Sequence, residues 1–328
     1  MGSFVVIRGE SPGGIEALCE RFADVTVFPA VGGYPPGDPA GAGFTVRTVR
    51  NGLVEGAFEA IGLPDGDGFS AALVWERLPW DTEVLGLPCA RIHFLGGKDC
   101  VSLLAHWRDR AAGHGIRYVT FRIAGAKGPD GGVPPCTVGV RRAIESVHGC
   151  IENAGFTNIE RLVFVRGGTD RSDPPRAVED PVREDVEDIV GIAQSSYTLD
   201  RFHREELFSP DVVKRFHRMR FLGSFGGRAD KILVVRDESG RVAGYITCMM
   251  PGAEGARMGV LDMIAVRSDA RRKGYARSLL FGALRYFHDN GFSEAGGGVH
   301  DQNHATRAMY AGLGFVEFSA VGTYRLTL

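Results

Sequence analysis

Two periodicities alternate along this chain, and the sharpest switch between them lies late. Val260-Leu261-Asp262-Met263-Ile264-Ala265-Val266 is an apolar run broken by a single aspartate. A basic, glycine-containing turn begins at Arg267, and apolar residues then return at Ala276, Leu279, Leu280, Ala283, Leu284 and Phe287. Intervals of three and four line one face of an α-helix. Asn290-Gly291 predicts its end, because glycine readily takes the left-handed conformation just past a last helical turn. The segment reads as strand, turn and helix.

The same alternation runs through most of the chain. Helices are expected over Ile15–Ala23, Asn51–Ile61 (ended by Gly62 and Pro64), Val101–Ala112, Ile144–Ala154, Asp185–Ser195, Asp211–Phe221 and Ala305–Ala311. Strands are expected over Phe69–Glu76, Ala90–Leu95, Tyr118–Ile123, Arg161–Arg166, Lys231–Asp237, Arg241–Met249, Leu261–Val266 and Ala295–Val299, with terminal strands near Val316 and Tyr324. Glu238-Ser239-Gly240 is a hairpin signal. Gly32–Gly43 and Gly125–Pro135 are Gly/Pro-rich and read as loops. No function can be assigned to residues 1–65.

An internal repeat shows in this pattern. Asn153-Ala154-Gly155-Phe156 before Leu162-Val163-Phe164-Val165 echoes Gly312-Leu313-Gly314-Phe315 before Thr323-Tyr324-Arg325-Leu326. The helix ending at Gly113-His114-Gly115 echoes the one ending at Asn290-Gly291. The first copy lacks the basic turn, offering only Gly96-Gly97-Lys98-Asp99-Cys100, and has Ile151 where the second has Tyr310. The expected domains are 1–166, a polar Pro-rich linker 167–181, and 182–328.

The turn carries the chemistry. The first amides of a helix lack intrahelical acceptors and the helix dipole is positive there. Gly274 allows close backbone approach to a phosphate, and Arg271, Arg272 and Lys273 add full charges. A pyrophosphate-bearing ligand is expected. Arg271-Arg272-Lys273-Gly274-Tyr275-Ala276 resembles the acyl-CoA pyrophosphate loop of the GCN5-related N-acetyltransferases (GNAT), of pattern Arg/Gln-x-x-Gly-x-Gly/Ala. Asn303 to Phe315 resembles that family's Asn-x-x-Ala-x-x-Leu-Tyr-x-x-x-Gly-Phe. The resemblance covers residues 182–328 with both motifs.

It implies an α/β (α+β) fold of two GNAT-like domains in tandem. The N-terminal one is degenerate, and each is a mixed, largely antiparallel twisted sheet flanked by helices. It also implies acetyl-CoA as co-substrate and direct attack by a primary amine in a ternary complex. Cofactor-binding residues would be Ile264, Ala265, Val266, Arg271, Arg272, Lys273, Gly274, Tyr275, Ala276 and Asn303. A backbone amide within Ile264–Val266 would stabilise the oxyanion. Tyr310 would protonate the departing thiolate; the alternative is a core aromatic on an amphipathic helix. For the amine's proton the candidates are Asp262, His300, Glu294 and His203. Asp262 stands two positions before Ile264 and should share its side-chain face; it is otherwise a rim residue or an ion-pair member. Gly296-Gly297-Gly298 either gives the acceptor room or marks a bulge.

Arg201-Phe202-His203, together with Trp80-Asp81-Thr82-Glu83, resembles sugar-nucleotide N-acetyltransferases of the dTDP-4-amino-4,6-dideoxyhexose (dTDP-fucosamine) type. Arg201, Phe202, His203 and Asp81 would then bind substrate, by phosphate pairing and stacking. The alternative is a helix-capping loop with surface charges. Two other functions stay open: acetylation of another small amine (antibiotic, amino acid or peptide), and non-catalytic acyl-CoA binding.

Composition narrows the picture only a little. In 328 residues the formal net charge is −2, so no global field favours nucleic acid or membrane. No apolar run reaches membrane-spanning length, and Met1-Gly2-Ser3-Phe4 opens no secretory signal. A cytoplasmic protein is expected, with a homodimer left open. The scattered Cys19, Cys89, Cys100, Cys136, Cys150 and Cys248 read as free thiols. The histidines show no ligand spacing, so no metal is expected.

Overall fold

The computed structural model describes residues 4–7, 12–23, 48–66, 68–124, 138–171, 173–250 and 258–328. In chain order its elements are β1 (Val5–Ile7), α1 (Pro12–Ala23), α2 (48–54), β2 (Glu59–Asp65), β3 (Gly68–Arg77), α3 (Pro79–Leu85), β4 (Cys89–Gly97), α4 (Cys100–Gly113), β5 (Tyr118–Ala124), α5 (Val138–Asn153) and β6 (Thr157–Gly168). Then come α6 (Val186–Ser196), α7 (Arg201–Arg204), α8 (Pro210–Gly223), β7 (Lys231–Arg236), β8 (Val242–Met249), β9 (Met258–Val266), α9 (Tyr275–Asp289), β10 (Glu294–His300), α10 (His304–Ala311) and β11 (Val316–Thr327). Contacts divide the chain into two units, Met1–Arg161 with Ser319–Leu328, and Leu162–Phe318. The terminal strand thus returns to the first unit, whereas residues 162–181 count with the second. The loops expected at Gly32–Gly43 and Gly125–Pro135 lie outside the described residues.

In the first unit the strand order is β1-β2-β3-β4-β5-β11. All pairs are antiparallel except β4 with β5. Trp75 and Trp107 meet edge-on in its core, with ring centroids 5.9 Å apart. Three expectations are corrected. The helix over Asn51–Ile61 stops at residue 54, and Glu59–Asp65 forms β2. There Ala60 and Ile61 point into two different cores, a doubly buried strand that periodicity alone cannot tell from a helix. Pro64 is tolerated because the β2–β3 register shifts at Leu63/Pro64. The two terminal strands are one, β11. The six thiols are not all free: Cys100 and Cys150 form a disulfide. Packing of α4 on α5 brings their Cα atoms to 6.5 Å, a proximity that sequence spacing does not reveal. Cys19, Cys89 and Cys248 are buried free thiols.

In the second unit the order is β6-β10-β9-β8-β7, with β9 and β10 parallel and the other pairs antiparallel. Helix α9 covers one face through Leu279, Leu280, Ala283, Leu284 and Phe287. Helices α6 and α8 cover the other, through Ile189, Val190, Ala193 and Phe221. Capping sets the helix ends: Ser209 Oγ accepts from the Val212 amide at 3.4 Å with Pro210 in the first turn of α8, and Gly291 takes φ +84° after α9. The two halves of the chain share a design. Each runs strand, helix, parallel strand, helix, strand, from β4 to β6 and from β9 to β11. In each, the strand before the first helix is bulged against its antiparallel neighbour, at His93 in β4 and at Asp262 in β9.

An ion pair ties the start of α6 to β7. Arg236 of β7 donates to both oxygens of Asp185, at 2.9 Å each, and the Val182 amide donates to Oδ2 at 2.9 Å. The Arg236 hydrogen bonds hold the Asp185 carboxyl below its usual acidity range, outweighing burial. A carboxylate depressed in the folded state stabilises above its unfolded pKa and loses that contribution as pH falls through the folded value. Asp185→Asn should therefore cost about 1–3 kcal/mol of unfolding free energy at pH 7. Urea titrations should show the gap to wild type shrinking as the pH is lowered through the carboxylate range.

Candidate active site

The site forms where β9 and β10 part. They pair only at Met258–Val260 with Glu294–Gly296, so beyond Val260 the β10-facing edge of β9 has no ladder partner among the described residues. β10 is pressed between its neighbours at that point. A Cβ on Gly296 would lie 2.2 Å from the Val165 carbonyl oxygen, and one on Gly297 2.5 Å from that of Leu261. The glycine run is there for close backbone approach rather than for a bulge. On its other edge β9 pairs with β8, and Thr247 opposes Met263 while Cys248 opposes Leu261, leaving Asp262 as the bulged residue.

The bulge corrects the expected facing of Asp262. Leu261 and Ile264 pack toward α9, whereas Met263 and Ala265 join the core under α6 and α8. Asp262 turns to the latter side and does not share the face of Ile264. Arg220 and Arg228 each donate to it at 3.0 Å, and the Thr247 hydroxyl donates at 3.2 Å while accepting from the Met263 amide at 3.1 Å. Burial raises the Asp262 pKa, but the two guanidiniums outweigh it and the net shift is downward. A carboxylate held charged in this way is a poor proton acceptor, and the ion-pair reading of Asp262 is the one the geometry favours.

The turn from β9 to α9 has the form expected of an anion cradle. Arg272 takes φ +65° and Gly274 φ +86° at the N-cap of α9. The amides of residues 272–277 have no acceptor among the described hydrogen bonds, and Arg271, Arg272, Lys273 and Gly274 are exposed. Arg271 Nε also donates to the Val266 carbonyl at 3.1 Å, bracing the turn on the strand. Tyr275 is buried, with the Arg176 guanidinium 4.9 Å from its ring, while Ala276 is half-buried. Charge, free amides and an open strand edge suit the diphosphate and amide-bearing arm of an acyl-CoA.

Asn303 caps α10, its Oδ1 accepting from the Thr306 amide at 3.2 Å. That leaves its Nδ2 as the group able to donate outward. Tyr310 is buried, 4.9 Å from the Phe315 ring, and burial raises its pKa, with Tyr197 and Cys248 adding to the effect. Tyr197, which sequence reasoning passed over, ends α6. Its hydroxyl lies 3.4 Å from that of Tyr245 and bonds the backbone of Ile264, and burial pushes its pKa up to about 12.

Of the expected substrate residues, Arg201 and Phe202 are buried, with the guanidinium 4.6 Å over the Phe202 ring, and Phe202 packs 4.1 Å from Phe216. Burial leaves little of this pair open to meet a phosphate or a base. Asp81 lies in the first turn of α3 in the first unit. His203 is exposed, and its Nδ1 lies 3.1 Å from Asp200 Oδ1, whose Oδ2 lies 2.8 Å from Nε2 of the buried His217. The donor atoms of Asp200, His203 and His217 lie within 4.8 Å of one another, close enough for a metal ion. His217 was missed although it falls on the buried face of α8 with Val213, Phe216 and Phe221; a polar residue at such a position was the available signal. Of the other proton acceptors considered, Glu294 begins β10, at the end where the strands are still paired, and His300 Nδ1 accepts from the Gln302 amide at 3.2 Å.

Residues 188–315 match the family described as "Acetyltransferase (GNAT) family". That match lies within the second unit and takes in α6 to α10. No curated protein matches the chain. Among solved structures, the chain is similar to a tandem GNAT protein from the clavulanic acid biosynthesis pathway, at 17% identity and TM-score 0.60, covering 100% of this chain and 98% of that one. It is also similar to a GCN5-related N-acetyltransferase from Sphaerobacter thermophilus, at 15% identity and TM-score 0.58, covering 99% and 95%. A third is a GCN5-related glucosamine N-acetyltransferase region of a fungal multi-domain GH3 β-N-acetylglucosaminidase, at 11% identity and TM-score 0.62, covering 99% of this chain and 38% of that one. These likenesses give the tandem GNAT fold, and the match of residues 188–315 to the acetyltransferase family supports an acyltransferase of the acyl-CoA-dependent class. No described helix is long and apolar enough to cross a membrane.

Two substitutions test this geometry. Gly274→Ala forces a side chain into φ +86°, so it should cost about 1 kcal/mol of stability and weaken CoA in isothermal titration, although a Cβ there meets no atom within 4 Å. Asp262→Asn leaves two partly exposed guanidiniums without their anion and should lower unfolding free energy by about 1–3 kcal/mol in urea titration.

Proposed function

We propose that the second unit moves an acetyl group from acetyl-CoA to the primary amine of a small molecule, with amino sugars the first class of acceptor. The open β9 edge beside the Gly274 turn carries this reading. The residue 272–277 amides with Arg271, Arg272 and Lys273 would hold the diphosphate, the edge Ile264–Val266 and Asn303 Nδ2 would hold the arm, and an amide of that edge would meet the oxyanion. Holding both reactants removes most of the entropic cost of encounter.

The nitrogen lone pair attacks the thioester carbon. As the tetrahedral intermediate collapses, the C–S bond breaks and the sulfur takes the Tyr310 proton. The raised pKa of Tyr310 keeps that proton in place across the physiological range. The nucleotide half of the acceptor reading has less support, since Arg201 is buried against Phe202 rather than turned outward.

Thiol release should be measured with acetyl-CoA and a panel of glucosamine, a dTDP-aminohexose, an aminoglycoside, lysine and a peptide. Release with either sugar supports the amino-sugar reading, release only with the others replaces it, and release with none favours a binding protein. Tyr310→Phe should reduce turnover by about a hundredfold or more while CoA affinity, by isothermal titration, stays unchanged. Turnover indifferent to that change would make Tyr310 a core aromatic.

A further inference from the structure

Acyl transfer to nitrogen needs a free amine, and Asp262, clamped by two arginines, is badly suited to supply one. We infer that His203, oriented by Asp200, is the base that takes the acceptor's proton. The inference rests on the acetyltransferase reading.

The geometry is that of a histidine fixed by a carboxylate. Asp200 caps α7, its Oδ1 accepting from the Phe202 amide at 2.9 Å, the His203 amide at 3.2 Å and the His203 ring at Nδ1. With Nδ1 as donor, the His203 proton is on the carboxylate side and Nε2 carries the lone pair. No partner of Nε2 is found among the described residues, and the ring is exposed. This is the orientation in which an imidazole accepts a proton and the carboxylate stabilises the imidazolium.

His217 completes the arrangement from α8. Its Nε2 faces Asp200 Oδ2, and its Nδ1 is buried with no hydrogen-bond partner. A proton on Nδ1 would have no acceptor there, so the geometry favours Nε2 as the nitrogen that donates to Asp200. The same orphan disfavours a metal ion in the cluster. Metal on Nε2 would drive the proton to Nδ1, where nothing accepts it, and Asp200 Oδ1 already accepts three hydrogen bonds. The charged or titratable groups about His203 are Asp200 before it, Arg201 and Arg204 on its own turn, Glu205 and Glu206 after it, and the His217 ring 5.9 Å away on α8.

Two contacts tie this cluster to the splayed strands. Arg204 donates to Gln302, next to Asn303 at the entry to α10. The His217 ring stacks on Tyr197 at 5.3 Å, and Tyr197 bonds the backbone of Ile264 on the open edge. His203 thus sits on a connection linked through these contacts to Gln302 and to Ile264. In the step, the ammonium gives one proton to His203 Nε2, directly or through a water, and the freed lone pair attacks. The second nitrogen proton leaves as the intermediate collapses and offsets the one Tyr310 gives to sulfur. Ammonium and thioester give amide, thiol and one proton.

His203→Gln, Asp200→Asn and His217→Phe would be compared with wild type using glucosamine as the probe amine, with CoA affinity measured in parallel. His203→Gln should lower kcat/KM about a hundredfold at pH 7, lose the acidic limb of the pH profile, and recover toward wild type at a pH where the amine is already neutral. Equal loss at every pH, or an unaltered profile, overturns the assignment. If wild type turns over neither glucosamine nor a dTDP-aminohexose, the amino-sugar reading fails separately, and nitrogen-15 spectroscopy decides His203. A neutral Nδ1–H tautomer that Asp200→Asn converts to a mixture supports the assignment, and an Nε2–H tautomer in wild type overturns it. Zinc binding in titration calorimetry that is lost in His203→Gln would also overturn it, in favour of a metal site.

Discussion

A half-buried aspartate between two arginines holds the second unit's architecture in place. Asp262 is the extra residue in β9, and the extra residue makes Leu261 and Met263 face opposite cores. A bulge in a central strand needs compensation, because a backbone group and a charge are both left off the ladder. Thr247 supplies the first by bonding the Met263 amide, and Arg220 and Arg228 supply the second. The clamp also fixes α8 and the turn after it to the sheet. With the bulge set, the rest of β9 presents one edge to β8 and the other to the gap beside β10, where the acyl donor is proposed to lie. Desolvating a charge is costly, so such a clamp serves the geometry of the strand more than its net stability.

The first unit repeats the bulge without the chemistry. His93 takes the place of Asp262, with Nε2 2.9 Å from Glu76 and the ring stacked 4.3 Å from Phe58. Its parallel pair β4–β5 also stops early, at Ile92 with Phe121. The turn after the strand is where the two units diverge: α4 begins at Cys100 after a glycine-lysine-aspartate turn, with no run of cations and no left-handed glycine at its N-cap. The sheet design has been kept while the anion cradle is missing, and this is how a folded repeat can be degenerate. Its strand geometry is maintained by core packing that needs no ligand.

Local signals made most of the fold legible in the sequence. Gly274 and Gly291 stand at left-handed positions, the face of α9 has helical spacing, and the motif around Asn303 and Tyr310 lies on a helix as read. Non-local geometry was not legible. A bulge shifts the period of two by one residue, so the face of Asp262 could not be counted from Ile264. The Cys100–Cys150 bond depends on two helices meeting. Arg201 and Phe202 look like recognition residues in a polar stretch, yet they are the packed side of a short capped turn, and their exposed neighbour His203 is the one left facing outward.

Two carboxylates of the second unit, Asp200 and Asp262, show why environment rather than residue type decides a role. Both are shielded from water, a change that by itself would raise their pKa, and in both the partners win and lower it. The partners differ in what they can exchange. Guanidinium keeps its protons at any physiological pH, so Asp262 is locked in a permanent ion pair and its charge is fully spent on Arg220 and Arg228. Imidazole can exchange a proton where guanidinium cannot, so the Asp200 carboxylate that orients the His203 ring is also placed to meet a charge formed on it. His217, sealed on its far nitrogen, holds the carboxylate in place from the other side. A strand aspartate fixed by arginines and a loop aspartate fixed by histidines therefore divide the labour: the first holds the edge that would receive the thioester, and the second orients the His203 ring proposed to take the amine's proton.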